Sequence, residues 1–212
     1  MQVLLRPRPA VLRPWALVAV TVLLGGCTTP AAQQAAEPGP GGSAAAYVSG
    51  DSTIEVLAPD QRGAPVSGVS GETLDGDPLD TADLVGDLVV LNVWGSWCGP
   101  CHAEAPELVA AEAELTAAAA VSGPVVRFVG IDIRDRSRAA ALGFEEQYGI
   151  TWPSLYDPDS LLLLPLAGDI PPNVVPSTLV LDEQGRVAAR LLGKVDTTTL
   201  VAVVEQVAGG SS

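Results

Sequence analysis

Two cysteines three residues apart, Cys98 and Cys101, are the residues of this chain best suited to covalent chemistry. They occur in the run Trp97-Cys98-Gly99-Pro100-Cys101. A pair this close encloses too small a loop to stabilise a fold by cross-linking it. Thiolates attack disulfides, so such a pair can exchange electrons with the cysteines of another protein. The spacing therefore predicts a redox-active disulfide that needs no metal and no organic cofactor.

The elements around the pair indicate how the chain activates it. Leu88–Trp94 is a nearly continuous apolar run, typical of a strand covered on both faces. Residues 104–120 are rich in Ala, Glu and Leu, which favours a long helix. Cys98 then lies at the start of a helix, where unpaired N–H groups stabilise a thiolate, and Pro100 suits the first turn. We expect Cys98 to be the nucleophile and Cys101 to resolve the mixed disulfide.

Two other chemistries are compatible with the same motif. A structural zinc site needs four ligands, but the sequence has no second cysteine pair and its only histidine, His102, adjoins Cys101. The run from Cys98 to His102 also matches the covalent haem attachment pattern. An electron carrier of that kind usually has a second axial ligand, and the only methionine is Met1. A non-catalytic envelope protein that binds haem through one axial ligand is therefore the alternative to a redox enzyme.

The first 27 residues have the pattern of an export signal. Three arginines and no acid precede an apolar stretch over 15–24, which at about ten residues is too short to span a bilayer of about 30 Å. The run Leu24-Gly25-Gly26-Cys27 resembles the bacterial lipoprotein signal, in which the cysteine carries the lipid. An ordinary signal peptide with an incidental cysteine is the alternative.

These features predict three regions along the chain. A signal peptide over 1–26 is followed by the lipidated Cys27 and a flexible tether to residue 52, rich in Ala, Gly and Pro. Residues 53–212 suit one folded domain. We therefore expect a lipid anchor at the extracytoplasmic face of the cell membrane. The formal net charge of −14 argues against nucleic acid as a partner.

The domain alternates strands and helices, which predicts an α/β fold with a parallel core. Before the cysteine motif we expect a strand at 54–57 and a hairpin turn at Asp75-Gly76. Beyond the motif, the patterns predict a strand at 125–133, a helix at 137–148 ended by Gly149 and a short extended piece at 153–156. They also predict a short helix near 160–166, a hairpin of 177–181 with 187–192, and a helix at 197–207.

The stretch from Gly86 to Leu108 resembles the strand and active-site helix of the thioredoxin superfamily, specifically its TlpA/ResA-like (DsbE-like) branch of bacterial envelope oxidoreductases. The resemblance extends over residues 54–207. It implies a thioredoxin-like fold, in which a central mixed sheet is flanked by helices. It also implies an N-terminal β-ribbon over 54–74 and a central insertion over 130–166.

Some residues gain a role from this resemblance. Asn92 occupies the strand position of a buried Asp in thioredoxins. Glu104 matches an active-site Glu of the branch, which implies proton transfer to or from Cys101, whereas an exposed first-turn acid is the alternative. Val175-Pro176 resembles the cis-proline segment that faces the cysteines, where a substrate chain can lie.

The predicted substrate-binding residues surround the cysteine pair. Trp94 is expected in the core by strand alternation, whereas Trp97 beside the nucleophile is expected to form a contact surface. The segment 167–173 departs from the family pattern, because it is longer and richer in proline. The full predicted set is Trp97, Gly99, Pro100, Val175 and Pro176.

The resemblance implies reduction of protein disulfides outside the cytoplasm, with apocytochrome c as the best-known substrate of the family and a membrane protein as electron donor. The opposite direction, donation of disulfides to secreted proteins, is the second hypothesis, because direction depends on the reduction potential and the partner. Gly99-Pro100 matches the dipeptide of reducing thioredoxins and favours reduction.

Overall fold

The computed structural model of this chain describes residues 45–49, 52–120 and 123–210. The predicted signal peptide, Cys27 and most of the predicted tether lie outside these ranges. The end of the tether differs from the expectation, because Ala45–Ser49 is a strand. None of the helices described is long and apolar enough to cross a membrane.

A mixed sheet of seven strands forms the centre of the domain. The strands, together with the two strands of a separate hairpin, are β1 (Ala45–Ser49), β2 (Ser52–Val56), β3 (Ser70–Glu72), β4 (Pro78–Asp80), β5 (Leu88–Trp94), β6 (Val126–Ile133), β7 (Ser154–Asp157), β8 (Ser177–Leu181) and β9 (Val187–Leu192). They lie in the order β1-β2-β9-β8-β5-β6-β7, with β3 and β4 in the hairpin. β5, β6 and β7 are parallel, and the other neighbours in the sheet are antiparallel.

The strand β5 is the central strand that its apolar run predicts. All seven of its residues are buried, and it pairs with β6 on one side and β8 on the other. Its side chains alternate between the two faces of the sheet. Leu88 and Val90 pack into one hydrophobic cluster, and Val89 and Leu91 pack into another. Both faces of the sheet therefore require a cover.

Three α-helices cover one face: α1 (Gly99–Ala119), α2 (Arg138–Tyr148) and α3 (Thr197–Gly209). Leu108 of α1 and Leu200 of α3 pack in the same cluster as Val90. Phe144 of α2 stacks on Trp94 at the end of β5, with ring centroids 4.5 Å apart. The opposite face is covered mainly by irregular chain, which includes short 3-10 helices at Thr81–Leu84 and Leu161–Leu163.

The central insertion expected over 130–166 contributes α2 and the edge strand β7. The side chain of Ser137 caps α2 by accepting a hydrogen bond from the Ala140 N–H. The helix ends at Gly149, whose φ of 69° lies in the left-handed region that glycine adopts without strain. The C-terminal boundary is the predicted one, and the helix begins one residue later than predicted because Ser137 is its cap. α2 packs behind the two cysteines through Ala141 and Phe144.

The β-ribbon is shorter than predicted and begins later. Asp75-Gly76 lies in the turn of the β3–β4 hairpin, as expected. Ile54, however, belongs to β2, which pairs with β9 in the main sheet. The reason is burial, because Ile54 and Val56 pack into the main core, whereas the ribbon strands have no fully buried residue.

The ribbon is fastened to the insertion by backbone contacts. Thr73 forms an isolated antiparallel bridge with Leu155 of β7, and the Leu74 N–H donates to the Ser154 carbonyl at 2.8 Å. The guanidinium of Arg138 donates to the carbonyl oxygens of Thr73 and Leu74. Ribbon, edge strand and α2 are therefore held together at one corner of the domain.

Candidate active site

Cys98 and Cys101 are joined by a disulfide, with an S–S distance of 2.11 Å and Cα atoms 5.2 Å apart. Cys98 is the N-cap of α1, and its sulfur accepts a hydrogen bond from the Cys101 N–H at 3.2 Å. Gly99 and Pro100 form the first turn. Composition alone favours a helix from residue 104, and the helix starts at Gly99 because Pro100, with its fixed φ and missing N–H, suits the first turn. The predicted placement at a strand end and helix start is correct.

The segment around Val175 and Pro176 lies against the disulfide. Their peptide bond is cis, and the Val175 carbonyl oxygen is 3.7 Å from the Cys98 sulfur. Both cysteines are buried, whereas Trp97 is 49% exposed. The Trp97 indole N–H donates to the Ile133 carbonyl at 2.9 Å, which fixes the ring beside the disulfide. The structure thus brings together the residues predicted to contact a substrate.

Glu104 lies one helical turn after Cys101 and is 1% exposed. Its Oε1 accepts a hydrogen bond from the Val195 N–H at 2.9 Å, and its Oε2 accepts one from the Asn92 amide at 3.1 Å. The same amide nitrogen lies 3.0 Å from the Thr178 hydroxyl. Glu104 is therefore not the exposed first-turn acid of the alternative. Asn92 is buried, as expected at its strand position, and it contacts Glu104.

Burial raises the pKa of Glu104 to about 7, although the hydrogen bonds from Val195 and Asn92 and the charge of Lys194 lower it. The carboxyl group therefore titrates near neutral pH. Glu104 and Cys101 border one small cavity. The centre of a water molecule can move within about 10 Å³ of it, so the cavity has room for about one water. Cys101 and a titratable acid thus border the same small cavity.

The profile of a protein family described as Redoxin matches residues 58–207, most of the chain. The chain belongs to the redoxin family. The thiol-disulfide oxidoreductase ResA of Bacillus thuringiensis (strain Al Hakam) is 29% identical to this redoxin over 121 residues, which are 57% of this chain and 64% of ResA. The chain therefore spans less than two thirds of the length of that relative.

Two solved structures are similar over more of this redoxin. A DsbF homologue from Corynebacterium diphtheriae is 36% identical, with a TM-score of 0.64 over 80% of this chain and 97% of that one. A secreted thiol-disulfide isomerase from Corynebacterium glutamicum is 32% identical, with a TM-score of 0.67 over 74% and 92% of the two chains. The similarity confirms the thioredoxin-like fold and the predicted resemblance to ResA-like proteins.

The redoxin also has a carboxylate that sequence reasoning missed. Asp135, just after β6, accepts hydrogen bonds from the Ser96 N–H at 2.9 Å and the Ser96 hydroxyl at 2.6 Å. It therefore clamps the turn that leads into Cys98. The signal that could have drawn attention to Asp135 is its place directly after a predicted strand, at the edge of a parallel sheet where functional residues collect.

A second buried acid, Asp132, lies near this clamp. Neither of its oxygens has a hydrogen-bond partner in the part of the redoxin that the structure describes. The pKa of Asp132 is raised to about 9, mainly by burial and then by the neighbouring carboxyl group of Asp135, with smaller contributions from the charges of Glu145 and Asp157. Asp132 is therefore a neutral acid at physiological pH.

Both ring nitrogens of His102 are engaged within the redoxin. Nε2 lies 2.8 Å from the Ser96 carbonyl, which can only accept, so Nε2 carries the proton. Nδ1 lies 2.8 Å from the Tyr148 hydroxyl. Coordination of a haem iron by His102 would break one of these bonds, and the sequence offers neither a second histidine nor a methionine other than Met1 as the opposite ligand. Among residues 45–49, 52–120 and 123–210, no three Cys, His, Asp or Glu side chains are grouped to hold a metal ion.

Proposed function

We propose that this redoxin is a thiol–disulfide oxidoreductase that acts on protein cysteines outside the cytoplasm. The observation that carries the proposal is the Cys98–Cys101 disulfide at the start of α1, beside the Val175 carbonyl. The relatives support the same chemistry, because ResA is named a thiol-disulfide oxidoreductase and the C. glutamicum protein a secreted thiol-disulfide isomerase.

The reductive half-reaction needs only the two cysteines and a proton acceptor. The Cys98 thiolate attacks one sulfur of the substrate disulfide, so that a mixed disulfide forms and the first substrate thiolate leaves. Cys101, once deprotonated, attacks the Cys98 sulfur and releases the second substrate thiolate. Two electrons thus pass from the cysteine pair to the substrate, and the Cys98–Cys101 disulfide is restored.

Glu104 is proposed to accept the proton of Cys101 in the resolving step. A general base works best when its pKa is close to the operating pH, and burial gives Glu104 a pKa of about 7. The cavity that both residues border has room for about one water, which can carry the proton. Asn92 and the Val195 N–H hold the carboxyl group in position.

The proposed direction is reduction, with apocytochrome c as a candidate substrate and a membrane-bound protein as electron donor. Gly99-Pro100 between the cysteines supports this direction, as does the similarity to ResA. Attachment to the membrane through a lipid on Cys27 belongs to the same proposal and is supported by the signal pattern around that residue. Disulfide donation to secreted proteins is the second candidate, because the direction of exchange depends on the reduction potential and the partner.

The reduction potential of the Cys98–Cys101 pair, measured in the chain equilibrated with glutathione or dithiothreitol, tests the direction. A potential near the value of about −270 mV of thioredoxin supports reduction, and one near about −120 mV overturns it in favour of disulfide donation. Single-turnover exchange with a disulfide-bonded Cys-x-x-Cys-His peptide tests the activity itself. Absence of exchange would contradict the proposal, and the C98S/C101S variant supplies the background rate.

A further inference from the structure

An open cleft of about 530 Å³ lies beside the active site, on the side of the exposed Trp97 ring. It is bounded by the turn before Cys98 and by the loop between β6 and α2. A partner whose cysteine reacts with Cys98 would extend past this cleft, because its walls include the two residues that precede Cys98. The lining residues are Ser96, Trp97, Arg134, Asp135, Arg136 and Ala140.

The cleft collects positive charge in a strongly acidic protein. The chain has 25 acidic and 11 basic residues, yet three arginines fall within the five residues 134–138. Arg138 has a structural task, because it pairs with Glu72 and lies over the ring of Tyr156. The other arginines of the domain that pair with acids are Arg62, Arg127, Arg186 and Arg190.

Arg134 and Arg136 form no ion pair with an acid in the part of the chain that the structure describes. Arg134 donates hydrogen bonds to the Pro172 carbonyl at 2.8 Å and the Ser160 hydroxyl at 3.3 Å, and both acceptors are neutral. Arg136 makes no hydrogen bond or ion pair with any residue in the described ranges of the chain, and it is exposed. Asp135, the acid between them, is buried with both oxygens on Ser96. The loop therefore directs its acid inward and presents its cations to solvent.

We infer that this cleft is a docking surface for an acidic segment of the partner protein, located next to the partner's reacting cysteine. The inference rests on the proposed function, because it assigns a substrate class to the same site. Opposite charges across an interface accelerate encounter and select partners. The half-exposed Trp97 ring adds an apolar surface on which a chain can lie.

Three disulfide-bonded peptides with the same Cys-x-x-Cys core test the surface. Their flanks carry Asp and Glu, Asn and Gln, or Lys, and the second-order rate of exchange is measured with each at low ionic strength. The readout is the rate with the acidic peptide divided by the rate with the lysine peptide. This ratio removes changes in the intrinsic reactivity of the cysteine pair.

The test variant is Arg136→Glu, which breaks no contact of the described fold. Arg127→Glu is the charge-matched control, because it makes the same charge change near the start of β6, about 20 Å from the end of that strand, and breaks only the surface ion pair with Asp87. We expect R136E to lower the acidic-to-lysine ratio about fivefold to tenfold, and R127E to change it less than twofold. High salt should diminish the difference between them.

Equal ratios for R136E and R127E would overturn the docking surface while leaving the proposed function intact. If no peptide exchanges with the wild-type chain, the proposed function fails instead. Binding of the same peptides with serine in place of cysteine, measured by titration calorimetry, then decides the docking surface separately. The docking surface is supported if the acidic peptide binds more tightly than the lysine peptide and R136E weakens that binding. It is contradicted if R136E leaves the binding unchanged.

Discussion

Glu104 illustrates how one buried residue can be held ready for proton transfer. Its carboxyl group is removed from solvent, which disfavours the charged form, but two N–H donors stabilise that form. The balance leaves its pKa near 7, where a small change of pH alters its charge. Cys101, on the same face of α1, borders the same cavity. A residue in this state is suited to receive a proton and return it in the same reaction cycle.

Replacing Glu104 by Gln should remove the ionisation near pH 7 from the kinetics of the resolving step. We expect the rate at which Cys101 releases substrate from the mixed disulfide to fall about a hundredfold at pH 7, at the lower end of the 10²–10⁴ or so that general-base catalysis contributes. Stopped-flow measurements from pH 5 to 9 report the step. Glu114→Gln, on an exposed position of α1, is the control. An unchanged pH profile in E104Q would contradict the assigned role.

Asp132 should make the fold less stable as the pH rises. Its pKa is raised from an ordinary 3.8 to about 9 in the folded chain, so between these values the folded state binds a proton that the unfolded state has lost. The stability contributed below pH 4 is therefore lost as the pH rises towards 9. Asp132→Asn should reduce this slope by up to about 1.4 kcal/mol per pH unit.

Urea unfolding of the wild-type chain and D132N at several pH values measures this slope. The free energy of unfolding of D132N should exceed that of the wild type at pH 8, and the two curves should converge below pH 4. Asp159→Asn, at an exposed residue, controls for the general effect of removing one negative charge. Parallel curves for D132N and the wild type would show that Asp132 ionises normally in the folded state.

The residues that the sequence alone could identify are those whose spacing is local. Cys98, Cys101 and Glu104 lie within two turns of one helix, and their relation follows from helical geometry and from the family resemblance. Asp135 could not be found this way, because it meets Ser96 across 39 residues of sequence. Its role depends on β6 pairing with β5 in a particular register, which no local pattern specifies.

Among the elements, the buried strand and the capped helices were predictable, whereas the pairing of the N-terminal strands at the β1–β2 edge of the sheet was not. A nearly continuous apolar run predicts β5, and Ser137 before the helix and Gly149 after it predict α2. β2 was predicted as a strand but assigned to the ribbon, because a five-residue strand with one buried face carries no information about its partner. Only its pairing with β9 places it in the main sheet.

The boundaries of α2 lead to a paired prediction for two of its glycines. Gly143 is exposed in the helix interior, and a methyl group there would meet no atom within 4 Å. Gly143→Ala should raise the free energy of unfolding by about 0.5–1 kcal/mol, because alanine has less backbone freedom to lose. Gly149→Ala should lower it by about 1 kcal/mol, because alanine resists the left-handed conformation.

Chemical denaturation of both variants against the wild type provides the measurement. Opposite signs for G143A and G149A are expected even though the chemical change is the same. Equal effects would mean that Gly149 does not end the helix in the left-handed conformation. α2 packs behind the cysteines through Phe144, so the reduction potential of both variants should also be measured. We expect it to be unchanged, because neither substitution alters Phe144.

At the scale of the whole molecule, the redox state of the cysteine pair is linked to the stability of the fold. A folded chain that favours its disulfide more strongly than the unfolded chain does is more stable when oxidised, and it acts as a reductant. The proposed direction therefore predicts that the oxidised chain unfolds at a higher denaturant concentration than the reduced chain. A more stable reduced form would favour disulfide donation.

Guanidinium unfolding with and without dithiothreitol measures this difference. The C98A/C101A variant is the control, because it should unfold at the same denaturant concentration in both conditions. The prediction is independent of any substrate, since it compares only two states of one chain. Its outcome should agree in sign with the directly measured potential, because both describe the same thermodynamic cycle.

The bridge between Thr73 and Leu155 has a consequence for the behaviour of many copies of this protein together. β7 is the last strand on its side of the sheet, and the free N–H and C=O groups of such a strand are a template for a strand from a neighbouring molecule. The residues that follow β3 occupy that position through the bridge and the Leu74 hydrogen bond. The ribbon therefore covers part of this edge of the sheet, which disfavours pairing of β7 with a strand of a second molecule.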